Sequence, residues 1–530
     1  MMTTRKRSVL ALSLLLSGAA GCVDLSVENP NAPEAERALR LPGDVESLIA
    51  GSYVQWWNAE ANFESLNMVL SAQSFQHSAF PANFGVTIYT APPRQPVVNN
   101  PAINEYAQHA NYWSWNYRGL SAIRDGLLAI ETDAVELGTG ERRAMAFGKF
   151  MQGLHHASLA LNFDQAFIVD EDVTQAQMNA GLAPVPYTEV MTKAIGYFNE
   201  AITLSTGQSF TIPAAWMSVD VSAAQLVRLS NSFKARFRAN VARNQTERAA
   251  VNWASVISEA NAGITADFNM FIDWVQWGNN AAYYQTLHTT WAQQPYWILG
   301  MADQSGRYQQ WLAMPLSTRH PDLSAGNPFI IVTPDTRFPQ GADLATQRAN
   351  PGRFYQAVSV PAWSRPDRGT WRWSYYGDQR FRTWRVNDGD YPIMTTEEMV
   401  LLRAEGLFRT GDLAGAAALI NQTRVAAGLN ATDAAGTNTS CVPKLPNGTC
   451  GDLFEMLKWE KRLETQFQGA GHAPWYYDSR GWNDLYRGTQ LHFPMPCRES
   501  QVLGMECYNF GGVGGPASSA GSGYWEPYGE

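Results

Sequence analysis

Thr395 opens the stretch that most restricts what this chain can fold into. With Glu398 three residues on, it makes a capping-box start, in which hydroxyl and carboxyl satisfy the first free N–H groups of a helix. The helix expected from there carries Val400, Ala404, Leu407 and Phe408 on one face, and Gly411 stops it. Asp412 caps a second helix that aligns Leu413, Ala416, Ala417 and Ile420, and Gly428 stops that one. Two amphipathic helices of this length, with small residues at their crossing, form a hairpin of tetratricopeptide type. Neither can bury its apolar face alone, so several such pairs must stack. No clean repeat of about 34 residues accompanies the hairpin, so the repeats are degenerate.

Helical spacing recurs upstream. Asp44 caps a helix carrying Val45, Leu48, Ile49 and Tyr53, and a second runs from about Asn104 to Glu131. A third, from Glu141, places Phe147, Phe150, Met151, Leu154, Ala157 and Leu161 at helical spacing. A fourth, from Thr188, aligns Val190, Ala194, Tyr197 and Ala201. A fifth, from Ser222, aligns Leu226, Leu229, Phe233, Phe237 and Val241, and a sixth runs from near Thr246 to Gly263. Between 264 and 394 the period fades, and Pro, Gly, Asn and Trp rise; 66–103 and 430–450 behave alike. Long irregular segments are usually functional or disordered, and their aromatic content favours ordered and functional ones here. The expected class is mainly α, with little β.

The chain starts with Arg5-Lys6-Arg7, an apolar run to Ala20, and the small residues Ala19-Ala20-Gly21 before Cys22. The pattern is that of a secretion signal, and it resembles a lipoprotein signal in which a bacterial cell acylates Cys22. Ala19 departs from it, standing where such signals usually carry Leu. The run from Val9 to Ala20 is shorter than the roughly 20 apolar residues a bilayer needs, and no later segment comes closer. The mature body is then expected to be soluble and held at the membrane by lipid alone. A net charge of −9 argues against a nucleic-acid surface. Cys441, Cys450, Cys497 and Cys507 remain, an even number in two close pairs. In an oxidising compartment local bridges are expected, 441 to 450 and 497 to 507. Crossed pairings stay open, and the spacings suit zinc poorly.

Flat aromatic faces and a few fixed polar groups between them make a ligand-binding surface. Trp274, Trp277, Tyr283, Tyr284, Trp291 and Trp297 lie close together, with Asn279, Asn280, Gln285 and Gln293 among them, and are the expected ligand-binding set. Trp371, Trp373, Tyr375, Tyr376 and Trp384, with Arg372, Asp378 and Arg380, form a second set. Phe80, Phe84 and Tyr89 form a third. Any one ring read alone is core. His155-His156 lacks the spacing of a metal site and reads as structural. Gly148-Lys149 lies inside a helix and is followed by Phe150, so it is no phosphate loop. Asp164, Asp170, Glu171 and Asp172 read as a solvated loop, or less readily as a cation site. Glu460 and Glu464 are expected to pair with Arg462 or its neighbours. No catalytic residue, metal site or cofactor is expected.

Several stretches together resemble the SusD/RagB-like outer-membrane nutrient-binding lipoproteins. Cys22 is followed by Asp24-Leu25 and Asn29-Pro30-Asn31-Ala32-Pro33, and Phe147 to Phe167 is similar to the family's central helix and turn. Leu401-Leu402-Arg403-Ala404-Glu405-Gly406-Leu407 leads to Thr410-Gly411-Asp412-Leu413, then to Ile420-Asn421-Gln422-Thr423-Arg424. Glu460-Lys461-Arg462-Leu463-Glu464, Asp484-Leu485-Tyr486-Arg487 and Phe493-Pro494-Met495-Pro496 follow. Gly469-Ala470-Gly471-His472 departs from the family's glycine-arginine step, and the C-terminal cysteines are additions. The resemblance implies about four tetratricopeptide-like pairs with a loop-rich irregular subdomain against them. It implies a non-catalytic binder of oligosaccharide or peptide, with the aromatics leaning toward sugar, that serves a TonB-dependent (SusC-like) transporter barrel. A secreted glycan-acting hydrolase and a protein-binding envelope scaffold are the alternatives.

The expected division is a signal peptide (1–21), an extended tether (22–43) and a helical part (44–263). A loop-rich ligand-binding subdomain (264–394), a C-terminal helical pair with the family-like signature (395–508) and a flexible tail (509–530) follow.

Overall fold

The computed structural model describes residues 39–62, 64, 66–79, 91–273, 275–278, 283, 292–324, 326–360, 373–381, 389–469 and 475–521. Cys22, the leader and most of the tether lie outside them. Eight of the helices form the scaffold. Helix α1 (Pro42–Ala61) packs on α2 (Tyr106–Glu131), α3 (Glu141–Asn162) on α4 (Tyr187–Ser205), and α5 (Ala223–Asn240) on α6 (Trp253–Asn261). Helix α7 (Thr396–Arg409) packs on α8 (Leu413–Ala426). Successive pairs stack through α2 on α3, α4 on α5 and α6 on α7. The chain is thus a helical, tetratricopeptide-like stack of four pairs, and among the described residues the β elements are short and two-stranded.

Glycine marks the crossings. A Cβ on Gly153 of α3 would lie 2.9 Å from the Phe198 ring of α4, and one on Gly406 of α7 would lie 2.6 Å from Ile257 of α6. Gly119 is tightest: its Cβ would sit 2.2 Å from His155 Nε2. That imidazole cannot retreat, because Nδ1 meets Asn116 Oδ1 at 2.9 Å and Nε2 meets the Ser52 carbonyl at 3.2 Å. G119A is therefore expected to lower stability by about 1–3 kcal/mol through overpacking, read from urea unfolding. A change below about 0.5 kcal/mol, the size of an ordinary surface substitution, would refute the fixed ring.

The capping box at Thr395 is half made. Thr395 Oγ1 accepts from the Glu398 N–H, but the Glu398 carboxylate does not return to the cap. It takes Arg236 Nε at 2.7 Å and Gln468 Nε2 at 2.6 Å instead. The helix expected from Thr246 to Gly263 is two pieces, Gln245–Ala249 and α6. Asn252 caps the second by accepting from the Ser255 N–H.

Strand β1 (Phe268–Ile272) pairs antiparallel with β2 (Gly389–Met394), with Phe268 opposite Met394 and Ile272 opposite Gly389. The segment between leaves the stack and returns through this narrow neck. Its rings build a second core from Tyr296, Trp297, Trp311, Phe329 and Tyr376, closed by Trp459 and Leu463 of α9 (Leu453–Glu464), Trp475 of α10 (Trp475–Trp482), and Phe75. Cys441 is bonded to Cys450, and Cys497 to Cys507. Among the described residues no helix is long and apolar enough to cross a membrane.

Buried ion pairs lie beside the second core, where the Trp459 indole N–H also donates to Asp335. Glu460 and Glu464 do not pair with Arg462, as their sequence proximity led one to expect. Both take Arg337, at 2.8 and 3.0 Å, and Arg337 also holds Asp335 at 2.7 Å. Arg462 turns instead to Asp484, where Lys458 joins it at 2.9 Å. Helical spacing brought the carboxylates to one face, but a distant loop supplied their cation.

Candidate functional site

The three aromatic-rich stretches read separately from the sequence are flanked by residues that the fold brings together. Ser78 pairs with Gln293 and Ala79 with Ala292, which joins the stretch before position 80 to the one after 291. The Gln294 N–H donates to the Tyr376 carbonyl at 2.9 Å, and the Ser374 hydroxyl donates to the Gln294 carbonyl at 2.5 Å. Gln293 Nε2 donates to the Ser359 carbonyl at 3.1 Å. Both sides of the 361–372 stretch are thereby fastened to the same strand. Gln466 completes the knot: its Nε2 donates to the Gln76 carbonyl at 2.9 Å and to Gln294 Oε1 at 3.0 Å. Its own Oε1 accepts from the Tyr355 hydroxyl at 2.5 Å. Gly469 ties to the Pro392 carbonyl, bringing in the β neck.

These fasteners are neutral. Amide side chains can donate and accept at once, so a few of them satisfy several loop backbones without burying charge. His77, beside them, is also neutral, because burial pushes its imidazole down to about 3 while Nε2 meets Ser71 Oγ at 2.9 Å. The result is a hydrogen-bonded polar floor built from segments far apart in the sequence. Rigid floors under variable loops are a common way to position binding residues.

The residues expected to bind ligand fall unequally. Trp274, Tyr284 and Trp291 lie outside the described residues, as do Trp371, Arg372, Trp384, Phe80, Phe84 and Tyr89. Tyr283 is half-buried. Trp277 and Trp297 are core residues, which corrects the binding role expected of them. Trp277 is 6% exposed and stands edge-on to Tyr53 of α1 at 5.7 Å. Trp297 is 4% exposed, and its indole N–H donates to the Phe75 carbonyl. In the second set Trp373 and Tyr376 are likewise buried, with the Tyr376 hydroxyl donating to Gln347. Arg380 lies over Phe354 at 4.4 Å and donates to the Glu464 carbonyl.

Of the acidic run only Asp172 is exposed; the other three carboxylates are bonded within the protein rather than solvated. Asp170 accepts from the Tyr197 hydroxyl at 2.6 Å, Glu171 takes Lys149 and Gln152, and Asp164 accepts from Tyr508 at 2.8 Å. Among the described residues no group of three metal-ligating side chains occurs. His155 and His156 are buried between helices, with burial holding their imidazoles near 3 and 4. Gln76, Gln294, Gln466 and Tyr355 were not legible as site residues, since no periodicity or motif marks an isolated glutamine.

No protein-family model matches the sequence, and no curated protein matches it. Solved structures do. A SusD superfamily protein from Bacteroides vulgatus is 15% identical and superposes with a TM-score of 0.51, over 84% of this chain and 89% of that one. A SusD homolog from Parabacteroides distasonis is 12% identical, with a TM-score of 0.51 over 82% and 84%. A SusD-like carbohydrate-binding protein from Bacteroides fragilis is 14% identical, with a TM-score of 0.50 over 83% and 86%. At such identities the likeness is one of fold, and over more than four fifths of its length this chain has the SusD-like fold.

Proposed function

We propose that this protein is a cell-surface lipoprotein that binds an oligosaccharide and delivers it to a TonB-dependent transporter barrel. The observation that carries the reading is the convergence of loop flanks on the glutamine floor. It puts the start of 80–90, the end of 279–291 and both borders of 361–372 on one patch of a SusD-like fold. A structural neighbour described as carbohydrate-binding supports the choice of sugar. In this reading Trp274, Tyr284 and Trp291 supply stacking faces, joined by Trp371, and binding proceeds without chemistry on the ligand.

A glycan panel probed by calorimetry tests it. W291A with W371A is expected to weaken the best neutral glycan by at least about tenfold with an unchanged melting temperature, since each aromatic contact is worth about 0.5–1.5 kcal/mol beyond its area. A blank across neutral and acidic glycans would defeat the reading, and so would release of shortened products from them.

The membrane attachment rests on Cys22. C22S is expected to move the protein from the membrane pellet to the soluble fraction. A variant that stays in the pellet at high salt would show another anchor.

A further inference from the structure

A second cleft, of about 730 Å³, shares none of its lining residues with the loop floor. Its size lies within the range of roughly 300–1,000 Å³ common for small-ligand sites. Tyr117 of α2, Phe167 and Trp113 line it, with Trp113 4.8 Å from the Tyr117 ring and 5.8 Å from the Phe167 ring. The Tyr117 hydroxyl donates to the Phe167 carbonyl at 3.0 Å and accepts from the Phe167 N–H at 2.6 Å, so the two rings are fixed to each other. Both are only half-buried. Met178, Leu182, Val502 and Leu503 add apolar lining, with Val502 largely exposed. Val502 and Leu503 belong to the segment closed by Cys497–Cys507, and the Arg498 N–H donates to the Tyr106 hydroxyl oxygen, tying it to α2.

Arg118 and Arg498, both exposed, also line the cleft, and among the described residues neither guanidinium has a carboxylate partner. Glu499 is the single acid in the lining, half-buried, with its carboxyl raised by that burial. Two unpaired guanidiniums against one acid make a locally basic cleft in a chain of net charge −9. Ser114, Ser121 and the Asn111 amide add groups able to bond hydroxyls. Fixed rings with apolar lining suit the C–H face of a sugar, and guanidinium forks suit a carboxylate.

The geometry points to a second carbohydrate site in this cleft, one that takes a short acidic oligosaccharide whose carboxylates meet Arg118 and Arg498. It rests on the reading of the chain as a glycan binder, and it adds a charged ligand class and a place remote in the lining from the ring-rich loops.

Calorimetry of the mature protein with trigalacturonate, its full methyl ester and octaglutamate tests the site. Trigalacturonate is expected to bind at least about tenfold more tightly than the ester, as the loss of charge-assisted bonds implies, and the gap is expected to shrink in high salt. R118Q combined with R498Q is expected to bring trigalacturonate down to the affinity of the ester, with the melting temperature unchanged. W291A with W371A is expected to leave trigalacturonate binding intact. Trigalacturonate failing to saturate below about 1 mM, a weak-site concentration, overturns the proposal, as does equal binding of the ester. Loss of trigalacturonate binding in the tryptophan variant but not in the arginine variant also overturns it, while sparing the glycan reading. Tighter binding of octaglutamate through the same arginines overturns the carbohydrate class and makes the cleft a peptide site.

Discussion

R248M is expected to lower the stability of the protein by at least about 3–5 kcal/mol, the usual cost of leaving buried charges without their partner. Every N–H of the Arg248 guanidinium is used. Nε and one Nη2 hydrogen grip Glu405 of α7 at 2.9 and 2.6 Å, the other Nη2 hydrogen reaches Asp478 of α10 at 2.8 Å, and Nη1 serves Ala239 and Asn240 at the end of α5. The variant leaves two fully buried carboxylates with weaker cationic support: Lys461, 2.9 Å from Asp478 and 3.6 Å from Glu405, and Arg409, 3.5 Å from Glu405. R248K keeps a charge but lacks the planar fork, so it is expected to recover only part of the loss. The pH dependence separates charge from packing. Burial alone would raise the Glu405 carboxyl, yet Arg248 and Lys461 hold it at about 2. That lies below the unfolded value of about 4.3, so this group's contribution is complete above about pH 5 and is lost as the pH falls toward 2. Without Arg248 the carboxyl rises, and acid no longer removes the same contribution. Urea unfolding should therefore show the gap between wild type and R248M narrowing between about pH 5 and 2. A gap constant across that window would mean the arginine acts by filling space.

Glu405 also shows what the sequence could and could not say. It stands in the stretch Leu401 to Leu407 that made the hairpin legible, because helical spacing and caps are local and act within one turn. Local signals likewise located the long helices to within a few residues. The role of Glu405 was not legible, because Arg248 lies 157 residues away and nothing in either segment names the other. The same holds for Glu460, whose partner Arg337 comes from a loop with no period at all. The site divides along the same line. Clusters of rings are visible as composition, but the sorting of rings into core and surface depends on which neighbours fold over them. Trp277 was covered by α1 from more than two hundred positions upstream, and no feature of 274–297 foretells that. The Ser78–Ala79 pairing with Ala292–Gln293 that joins the loops is two residues long, too short to leave an alternating pattern in either strand.

W297A carries that distinction into a measurement. Trp297 sits among the expected sugar-binding rings in sequence, yet in the fold its ring lies edge-on to Trp475 at 6.5 Å, beneath the Arg462 guanidinium at 5.1 Å. Its indole N–H donates to the Phe75 carbonyl at 3.1 Å, which links the second core to the segment leading to Ser78. Truncation opens a cavity of nearly a full indole in a close-packed core, which costs about 3–5 kcal/mol. W297F refills most of that volume but removes the hydrogen bond to the Phe75 carbonyl, so a loss of about 0.5–1.5 kcal/mol is expected from the bond. Neither variant should change glycan affinity per folded molecule, because a ring 4% exposed offers no face to a ligand. Urea unfolding and calorimetry on the same samples decide the matter. An affinity that collapses in W297A while the unfolding midpoint stays put would return Trp297 to the binding surface and undo the assignment of the second core.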